Sequence, residues 1–204
     1  MRLTRRRGLL MQACAEEHPG SMAAVIGLDA PAVDDLCRSV ARETGGMVSV
    51  ANFNSPVQVV ITGESAAVGE ACRRLKEAGA GRIVALKVSG PWHSALLQSA
   101  QEAFGQELSS TPFKAPALPI VANVDAEVKT TAGEVRDALM RQITSPVEWV
   151  RSIRALRRDL PQAVYLECGP GSVLKGLLRA IDPGAVAWSV NSVESLEAAL
   201  AELG

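Results

Sequence analysis

The sequence has no apolar run long enough to cross a membrane and no excess of charge of either sign. Its 21 Lys and Arg residues stand against 22 Asp and Glu residues, so the formal net charge is −1. A transmembrane helix needs about 20 consecutive apolar residues, and a nucleic-acid-binding protein normally carries a basic face. We therefore expect small molecules or proteins as partners, with no nucleic acid and no membrane. The apolar run Leu9-Leu10-Met11 is too short for a signal peptide, so we expect a cytoplasmic protein.

Several motifs of catalytic and metal-binding sites are also missing. The cysteines Cys14, Cys37, Cys72 and Cys168 form no C-x-x-C pair, and we expect them to be small, mostly buried side chains in a reducing compartment. We predict no metal site. The G-x-S-x-G motif that holds a serine nucleophile in α/β hydrolases does not occur in the printed sequence. The nearest string surrounds Ser65, lacks the second glycine and is more typical of a helix cap.

The segment Cys168–Ser172 joins a predicted strand to a predicted helix and contains two glycines. Backbone N–H groups at a helix N-terminus can bind phosphate. However, a dinucleotide-binding motif would have a third glycine at Leu174, and a P-loop would contain Gly-Lys-Ser/Thr. We favour a tight structural turn with glycines at positive φ, and keep phosphate binding as the alternative.

Hydrophobic periodicity predicts an opening helix from Leu3 to about Glu16, followed by six further elements. These are a strand, a helix, two strands, a helix and a strand, predicted at Met22–Gly27, Pro31–Arg42, Met47–Asn52, Val57–Thr62, Glu64–Ala78 and Arg82–Val88. The order β-α-β-β-α-β is typical of the ferredoxin-like fold. Many functions occur on that fold, so the order alone identifies none.

From Ser94 onward, helices alternate with short apolar strands. The strands are predicted at Leu118–Ala122, Ala163–Leu166 and Ala185–Val190, and the later helices at Ala132–Ile143, Val147–Arg158, Ser172–Ala180 and Val193–Leu203. The first two strands have the composition of buried strands in a parallel sheet. Three strands are few for such a sheet, because both of its faces must be covered and its edges protected. The pattern therefore predicts part of an α/β layer.

One of the two histidines, His93, lies where a strand turns into a helix. Gly90-Pro91 ends the predicted strand, and Ser94 is a predicted N-cap for a helix with an apolar stripe through Phe104 and Leu108. The partial positive charge of a helix N-terminus would keep His93 neutral and able to accept a proton. The alternative is a histidine that only satisfies a turn, because no nucleophile beside it can be seen in the sequence.

Seven segments are informative through their order and spacing. They are Arg7–Gln12 (RGLLMQ), Met22–Leu28 (MAAVIGL), Asn52–Val60 (NFNSPVQVV), Ser89–Ser94 (SGPWHS), Asn123–Ala126 (NVDA), Gln142–Trp149 (QITSPVEW) and Glu167–Leu174 (ECGPGSVL). Together they resemble the malonyl-CoA:acyl-carrier-protein transacylases. The resemblance runs from Arg7 to about Ile181. It implies an α/β fold in which residues 1–20 and 89–204 form part of an α/β-hydrolase-like subdomain, with a ferredoxin-like subdomain inserted at residues 21–88.

The resemblance also implies an acyltransferase that works by a ping-pong mechanism. A serine takes malonyl from malonyl-CoA and passes it to the phosphopantetheine thiol of an acyl carrier protein in fatty acid or polyketide biosynthesis, and no further cofactor is needed. His93 matches the family's base. Gln142 matches the residue whose backbone carbonyl binds the other ring nitrogen, so its side chain is expected to be replaceable. Arg7 matches the arginine that binds the malonyl carboxylate, for which a planar guanidinium is suited.

The sequence departs from the family because it begins after the Gly-His-Ser-Leu-Gly nucleophile motif and after the Gln-Gly segment of the oxyanion hole. Three interpretations remain open. The chain is a C-terminal part of a malonyl transacylase, or one subunit of a split acyltransferase whose serine is on another chain. The third interpretation is a non-catalytic module that binds acyl carrier protein or coenzyme A.

Overall fold

The computed structural model describes residues 2–203, which form helices, strands and their connections. The chain divides into two units, one ending at Ser152 and one beginning at Ile153. The first elements are α1 (Arg2–Glu17), β1 (Ser21–Ile26), α2 (Ala30–Thr44), β2 (Val48–Ser55), β3 (Gln58–Gly63), α3 (Ser65–Glu77) and β4 (Arg82–Ala85). Their order and type agree with the prediction, but β4 ends at Ala85 and not at Val88. The predicted subdomain boundaries at residues 20 and 88 stay a prediction.

Strands β1 to β4 form one antiparallel sheet in the order β2-β3-β1-β4. This is the predicted ferredoxin-like arrangement, with β1 and β3 in the centre. Successive side chains of a strand point to opposite faces. Val25, Val59 and Ile61 accordingly pack with α2 and α3 in one core cluster, whereas Met22 and Val60 belong to a cluster on the opposite face. Both faces of the central strands are therefore buried.

Local sequence signals define the ends of α2. The Asp29 side chain accepts a hydrogen bond of 2.8 Å from the backbone N–H of Ala32, as an N-cap residue does. Pro31 follows at the start of the helix, where its missing N–H costs nothing. Gly45 ends the helix at φ 70°, a left-handed conformation that glycine adopts without strain.

Helix α1 packs against a helix that starts later than predicted. A 3₁₀ turn at Ala95–Leu97 precedes α4 (Gln98–Ser109), and Phe104 of α4 lies in one cluster with Met11 of α1. Ser94 occupies the N-cap position of the 3₁₀ turn, but its hydroxyl donates to the carbonyl of Pro91 at 2.7 Å and makes no capping hydrogen bond. The N-cap position of α4 itself is Leu97, so the predicted helix start is three residues too early.

The next elements form a hairpin and a helix: β5 (Ile120–Ala122), β6 (Glu127–Lys129) and α5 (Ala132–Arg141). Strand β6 was not predicted, and a buried parallel strand was predicted at Leu118–Ala122. Both features of that strand are wrong, because β5 pairs antiparallel with β6 and Leu118 is 77% exposed. Helix α5 begins with a capping box between Thr131 and Glu134.

The remaining elements are α6 (Trp149–Asp159), β7 (Val164–Cys168), α7 (Val173–Ile181), β8 (Val186–Val190) and α8 (Val193–Leu203). Strands β7 and β8 pair in parallel, as predicted, but in a sheet of two strands. Their apolar side chains are not buried: Leu166 is 45% exposed and Val186 is 53% exposed. Cys168 is also exposed, contrary to our expectation.

The turn between β7 and α7 decides between the two interpretations of its glycines. Gly169 and Gly171 have φ values of 140° and 89°, so both adopt conformations that favour glycine. The carboxylate of Glu167 accepts hydrogen bonds of 2.9 Å from the backbone N–H groups of Leu174 and Lys175. These N–H groups at the start of α7 are therefore already paired within the chain. The tight turn is the correct interpretation.

Candidate functional site

Helix α1 and the second face of the four-stranded sheet border a cavity of about 440 Å³. Arg7 lies one helical turn before the buried Met11, and residues four apart share a face of a helix. Its side chain is consequently directed toward the core side of α1 and lines the cavity. Met22 and Asn52 of the sheet line the same cavity, together with His93.

His93 is held in an unusual backbone conformation by the tight segment that precedes α4. Its φ is 61°, in the left-handed region that few residues other than glycine adopt. Just before it, the N–H of Trp92 donates to the carbonyl of Gly90 at 3.0 Å. A Cβ atom at Gly90 would lie 2.5 Å from that of Ala15, so only glycine allows this segment to approach α1 so closely. The close contact places His93 at the cavity.

The ring of His93 has a defined hydrogen-bonding arrangement. Its Nδ1 lies 2.9 Å from the backbone carbonyl oxygen of Gln142, the residue that follows α5. A carbonyl can only accept a hydrogen bond, so Nδ1 carries the proton and Nε2 of the neutral ring has a free lone pair. This is the contact that the resemblance implies for these two residues.

Burial sets the charge of His93. Burial lowers its pKa below the usual 6.5, the hydrogen bond to the Gln142 carbonyl opposes this shift, and the positive charge of Arg7 adds to it. The ring is therefore neutral at pH 7 and able to accept a proton at Nε2. The neutral state of His93 was predicted from a helix N-terminus, but its main cause is burial.

Arg7 is partly buried, and within the described part of the chain no carboxylate neutralises its charge. Burial lowers the pKa of its guanidinium, which still remains charged at neutral pH. Among residues 2–203, no carboxylate lies within ion-pair distance of Arg7, whereas the neighbouring Arg6 binds Glu107 at 2.7 Å. Arg5 is exposed. A half-buried arginine that faces a cavity can bind an anion there, and a carboxylate matches its planar guanidinium.

The structure thus brings together all the residues that the sequence analysis selected. His93 and Arg7 line one cavity, and the Gln142 carbonyl binds the histidine ring. Gln12 and Asn52 also line the cavity, but they were not predicted as site residues. The side chain of Gln12 accepts a hydrogen bond of 2.8 Å from the hydroxyl of Ser89. Gln12 and Asn52 lie in the segments that resemble the family, and they are polar residues among apolar neighbours, which was the available signal.

Within residues 2–203, no three His, Cys, Asp or Glu side chains come together in a way that could hold a metal ion. Over the same range, no helix combines the length and the apolar character that a bilayer crossing requires.

Comparisons with known proteins identify relatives over nearly the whole chain. The malonyl CoA-acyl carrier protein transacylase of Salmonella typhimurium is 41% identical over 202 residues, which are 99% of this chain and 64% of the relative. The same enzyme of Haemophilus influenzae is 42% identical over 198 residues, 97% of this chain and 62% of the relative. No family model matches the chain.

Solved structures give the same result. The malonyl CoA-acyl carrier protein transacylase of Coxiella burnetii has a TM-score of 0.94 at 33% identity, covering 99% of this chain and 63% of that one. A malonyl-transacylase in complex with its type II polyketide synthase acyl-carrier protein has a TM-score of 0.93 at 40% identity, covering 98% and 64%. The predicted fold class, a partial α/β-hydrolase-like subdomain with an inserted ferredoxin-like one, is confirmed by these matches. In sequence and in fold, the chain is similar to the malonyl CoA-acyl carrier protein transacylases, and it spans about 64% of the length of the curated relatives that it matches.

Proposed function

We propose that the chain supplies the base and the carboxylate-binding residue of a site that transfers malonyl from malonyl-CoA to the phosphopantetheine thiol of an acyl carrier protein. One observation carries the proposal: His93, with Nε2 free, and Arg7, with no internal carboxylate partner among residues 2–203, line the same cavity of about 440 Å³. A proton acceptor and a binding site for a carboxylate are the two functions that this reaction requires from this part of the enzyme.

In the first half-reaction, a serine hydroxyl attacks the thioester carbonyl of malonyl-CoA. Nε2 of His93 accepts the hydroxyl proton as the new C–O bond forms. The C–S bond then breaks, and the proton passes from His93 to the departing thiolate of coenzyme A. The serine is supplied by a polypeptide segment other than the printed sequence. The products of this half-reaction are a malonyl-serine ester and free coenzyme A.

In the second half-reaction, the phosphopantetheine thiol of the carrier protein attacks the malonyl ester. His93 accepts the thiol proton and returns it to the serine oxygen as the C–O bond breaks. The Gln142 carbonyl serves both half-reactions, because it keeps the proton on Nδ1 and stabilises the imidazolium that forms transiently. In this site a backbone carbonyl does what a carboxylate does in a Ser-His-Asp triad.

Arg7 selects the acyl group. Its guanidinium pairs with the free carboxylate at the far end of malonyl, and partial burial strengthens that interaction relative to water. Acetyl-CoA has no such carboxylate and leaves the arginine unpaired. Arg7 thereby favours malonyl over unsubstituted acyl groups.

The proposed partners are malonyl-CoA, an acyl carrier protein and the serine-bearing polypeptide. The reaction as written uses substrates only, so we propose that it needs no metal and no cofactor. We also retain the cytoplasm as the expected location, since substrates of this kind are intracellular metabolites and proteins.

Intact-mass spectrometry tests the proposal directly. The chain is incubated with malonyl-CoA alone and together with a polypeptide that carries the remaining third of a relative, including its serine motif. We expect a malonyl adduct only in the mixture and on the added polypeptide, and loss of that adduct when holo acyl carrier protein is supplied. The variant His18→Ala serves as the matched control for His93→Ala, since it removes the other histidine.

The alternative outcomes separate the other interpretations. A malonyl adduct on the chain alone contradicts the assignment of the serine to another segment. Binding of acyl carrier protein by the chain, with no transfer in any mixture, favours a non-catalytic binding module. Transfer that depends on His93 in the mixture is expected both for a C-terminal part of a transacylase and for one subunit of a split acyltransferase.

A further inference from the structure

The side chain of Gln142 was expected to be replaceable, because only its backbone carbonyl contacts His93. The structure is at odds with that expectation. The Nε2 group of Gln142 donates hydrogen bonds of 3.1 Å to two backbone carbonyls, those of Ser145 and Pro146. Both protons of the amide are therefore used, and both partners lie a few residues further along the chain. We call residues 142–146 the Gln142 turn.

The Gln142 turn is fixed at its beginning by α5 and by the core. The backbone N–H of Gln142 donates to the carbonyl of Ala138 at 3.0 Å, and that of Ser145 donates to Arg141 at 3.2 Å. Ile143 is fully buried in the cluster that contains Met11. These contacts hold the first half of the turn but leave the carbonyls of Ser145 and Pro146 to the Gln142 side chain.

The far end of the turn leads directly to the cavity. Val147, the next residue, donates its N–H to the carbonyl of Ala51 at 2.8 Å and accepts from the N–H of Phe53 at 2.9 Å. These two bonds form a parallel bridge opposite Asn52, which lines the cavity with His93. The Gln142 turn thus reaches the site at its start, through the Gln142 carbonyl, and the residue directly after it, Val147, pairs with the strand that carries Asn52.

We infer that the side-chain amide of Gln142 is a positioning group for His93, an inference that rests on the proposed role of His93 as the base. By bridging the carbonyls of Ser145 and Pro146, the amide closes the turn and keeps the Gln142 carbonyl on Nδ1 of His93. The amide therefore acts on the ring through the single acceptor at Nδ1, the Gln142 carbonyl. Without the amide, these partly buried carbonyls lose their donors, and the turn opens as they take other partners.

The tautomer of His93 reports this effect without any need for catalysis. The chain has only two histidines, so the ring nitrogens of His93 can be assigned by comparison with His18→Gln. Long-range ¹H–¹⁵N spectra at pH 7.5 distinguish a protonated from an unprotonated ring nitrogen. In the unmodified chain we expect a single tautomer, with the proton on Nδ1.

Two substitutions remove the donors of Gln142 in different ways. Gln142→Glu keeps the size and places a carboxylate against two carbonyls, and Gln142→Leu replaces the amide with an apolar group. We expect both to lose the single tautomer and to show a mixture of Nδ1–H and Nε2–H forms. The control is Gln101→Leu, which removes the acceptor of the Thr144 hydroxyl in the same turn but does not contact the Ser145 or Pro146 carbonyls; it should retain the single tautomer.

A folded Gln142→Glu or Gln142→Leu protein that retains the Nδ1–H tautomer would overturn the inference. If both variants lose cooperative unfolding while Gln101→Leu keeps it, the amide supports the fold as a whole, and the specific positioning role is likewise wrong. Malonyl transfer is measured separately in the mixture with the serine-bearing polypeptide. If the Gln142 variants lose the single tautomer but the unmodified chain supports no malonyl transfer, the positioning role is upheld and the proposed function is rejected.

Discussion

The four-stranded sheet of the first unit and the two-stranded sheet of the second unit have similar apolar strands but very different burial. Val25 and Ile61 in the antiparallel sheet are fully buried, whereas Leu166 and Val186 in the parallel pair are about half exposed. The antiparallel sheet obtains its helices and neighbouring strands from residues 21–85. A parallel sheet usually has both faces covered. The composition of a segment therefore predicts that it forms a strand, but it does not predict whether other elements of the chain bury its apolar side chains.

The candidate site lies entirely in the first unit. Arg7, His93 and Gln142 come from α1, from the segment after β4 and from the end of α5. They are held by the clusters of buried side chains that this unit completes by itself. The first unit thus holds the candidate site residues in place, whereas the second unit leaves apolar side chains of its two strands exposed.

The largest expected effect is the contrast between equivalent truncations in the two sheets. Ile61→Ala should lower the free energy of unfolding by about 2–5 kcal/mol, because it removes a fully buried side chain and leaves a cavity. Leu166→Ala should cost less than about 1 kcal/mol, because half of that side chain already contacts solvent. Urea unfolding of both variants measures the difference. Equal losses would mean that Leu166 is covered in solution, as by self-association.

The second prediction concerns catalysis in the first unit. With the serine-bearing polypeptide supplied, His93→Ala should lower malonyl transfer by about a hundredfold or more, the usual range for loss of a general base. The thermal stability should change little, by about 1 kcal/mol for the lost hydrogen bond to Gln142. The defect should diminish at high pH, where hydroxide and thiolate partly replace the base. Normal turnover by well-folded His93→Ala would end the catalytic assignment, and His18→Ala is the control.

The third prediction concerns acyl selection. Arg7→Lys keeps the positive charge but loses the planar pair of donors, so use of malonyl-CoA should fall while the relative rate with acetyl-CoA improves. Competition between the two thioesters in the reconstituted mixture measures the ratio. Arg6→Lys is the matched control, because Arg6 lies on the same helix and pairs with Glu107. An equal fall with both substrates would make Arg7 a structural residue.

The fourth prediction concerns the open sheet of the second unit. We expect the chain to self-associate through exposed apolar side chains and unpaired strand edges. Leu166→Lys should reduce the association, whereas Val57→Lys in the first unit should not, although Val57 is also exposed. Sedimentation velocity over a range of concentrations tests both. A monomer at all concentrations would count against the interpretation of β7 and β8 as an incomplete layer.

The smallest expected effect is a pH dependence from His93. Burial lowers its folded-state pKa below 6.5, so the unfolded chain binds more protons between these two values. Stability should therefore decrease as the pH falls from about 6.5 to the folded-state pKa, and this contribution should be fully present above 6.5. His93→Gln should remove that part of the decrease. Urea unfolding between pH 5 and 7.5 provides the comparison, and an unchanged slope would contradict the burial of the ring.

The fold was predictable where local signals and packing agree. The elements from β1 to β4 were predicted in type and order, because β1 and β3 have long apolar runs and α2 has strong end signals at Asp29 and Gly45. The hairpin of β5 and β6 was not predicted. Its strands have only three residues each, and the residue with positive φ in its turn is Ala126, at 61°, where glycine or asparagine would be expected.

The site was predictable in its residues and not in its geometry. His93 and Arg7 were selected from their types and from the resemblance of the surrounding segments. The role of the Gln142 side chain could not be selected in this way, because its hydrogen bonds to Ser145 and Pro146 depend on the path of the turn. The burial that lowers the pKa of His93 is likewise a property of the folded chain.

The sequence by itself determined the alternation of elements, the ferredoxin-like order and the candidate residues, because periodicity, turn residues and side-chain chemistry are local properties. The tertiary structure alone decided that Arg7 and His93 share a cavity, that the proton resides on Nδ1, and that Glu167 and not a phosphate pairs with the start of α7. The first two facts depend on which groups far apart in the sequence come within a few ångströms, and long-range packing sets those distances. The third depends on the path of the turn between Glu167 and Leu174, which are only seven residues apart, and the residue types of that segment do not specify the path.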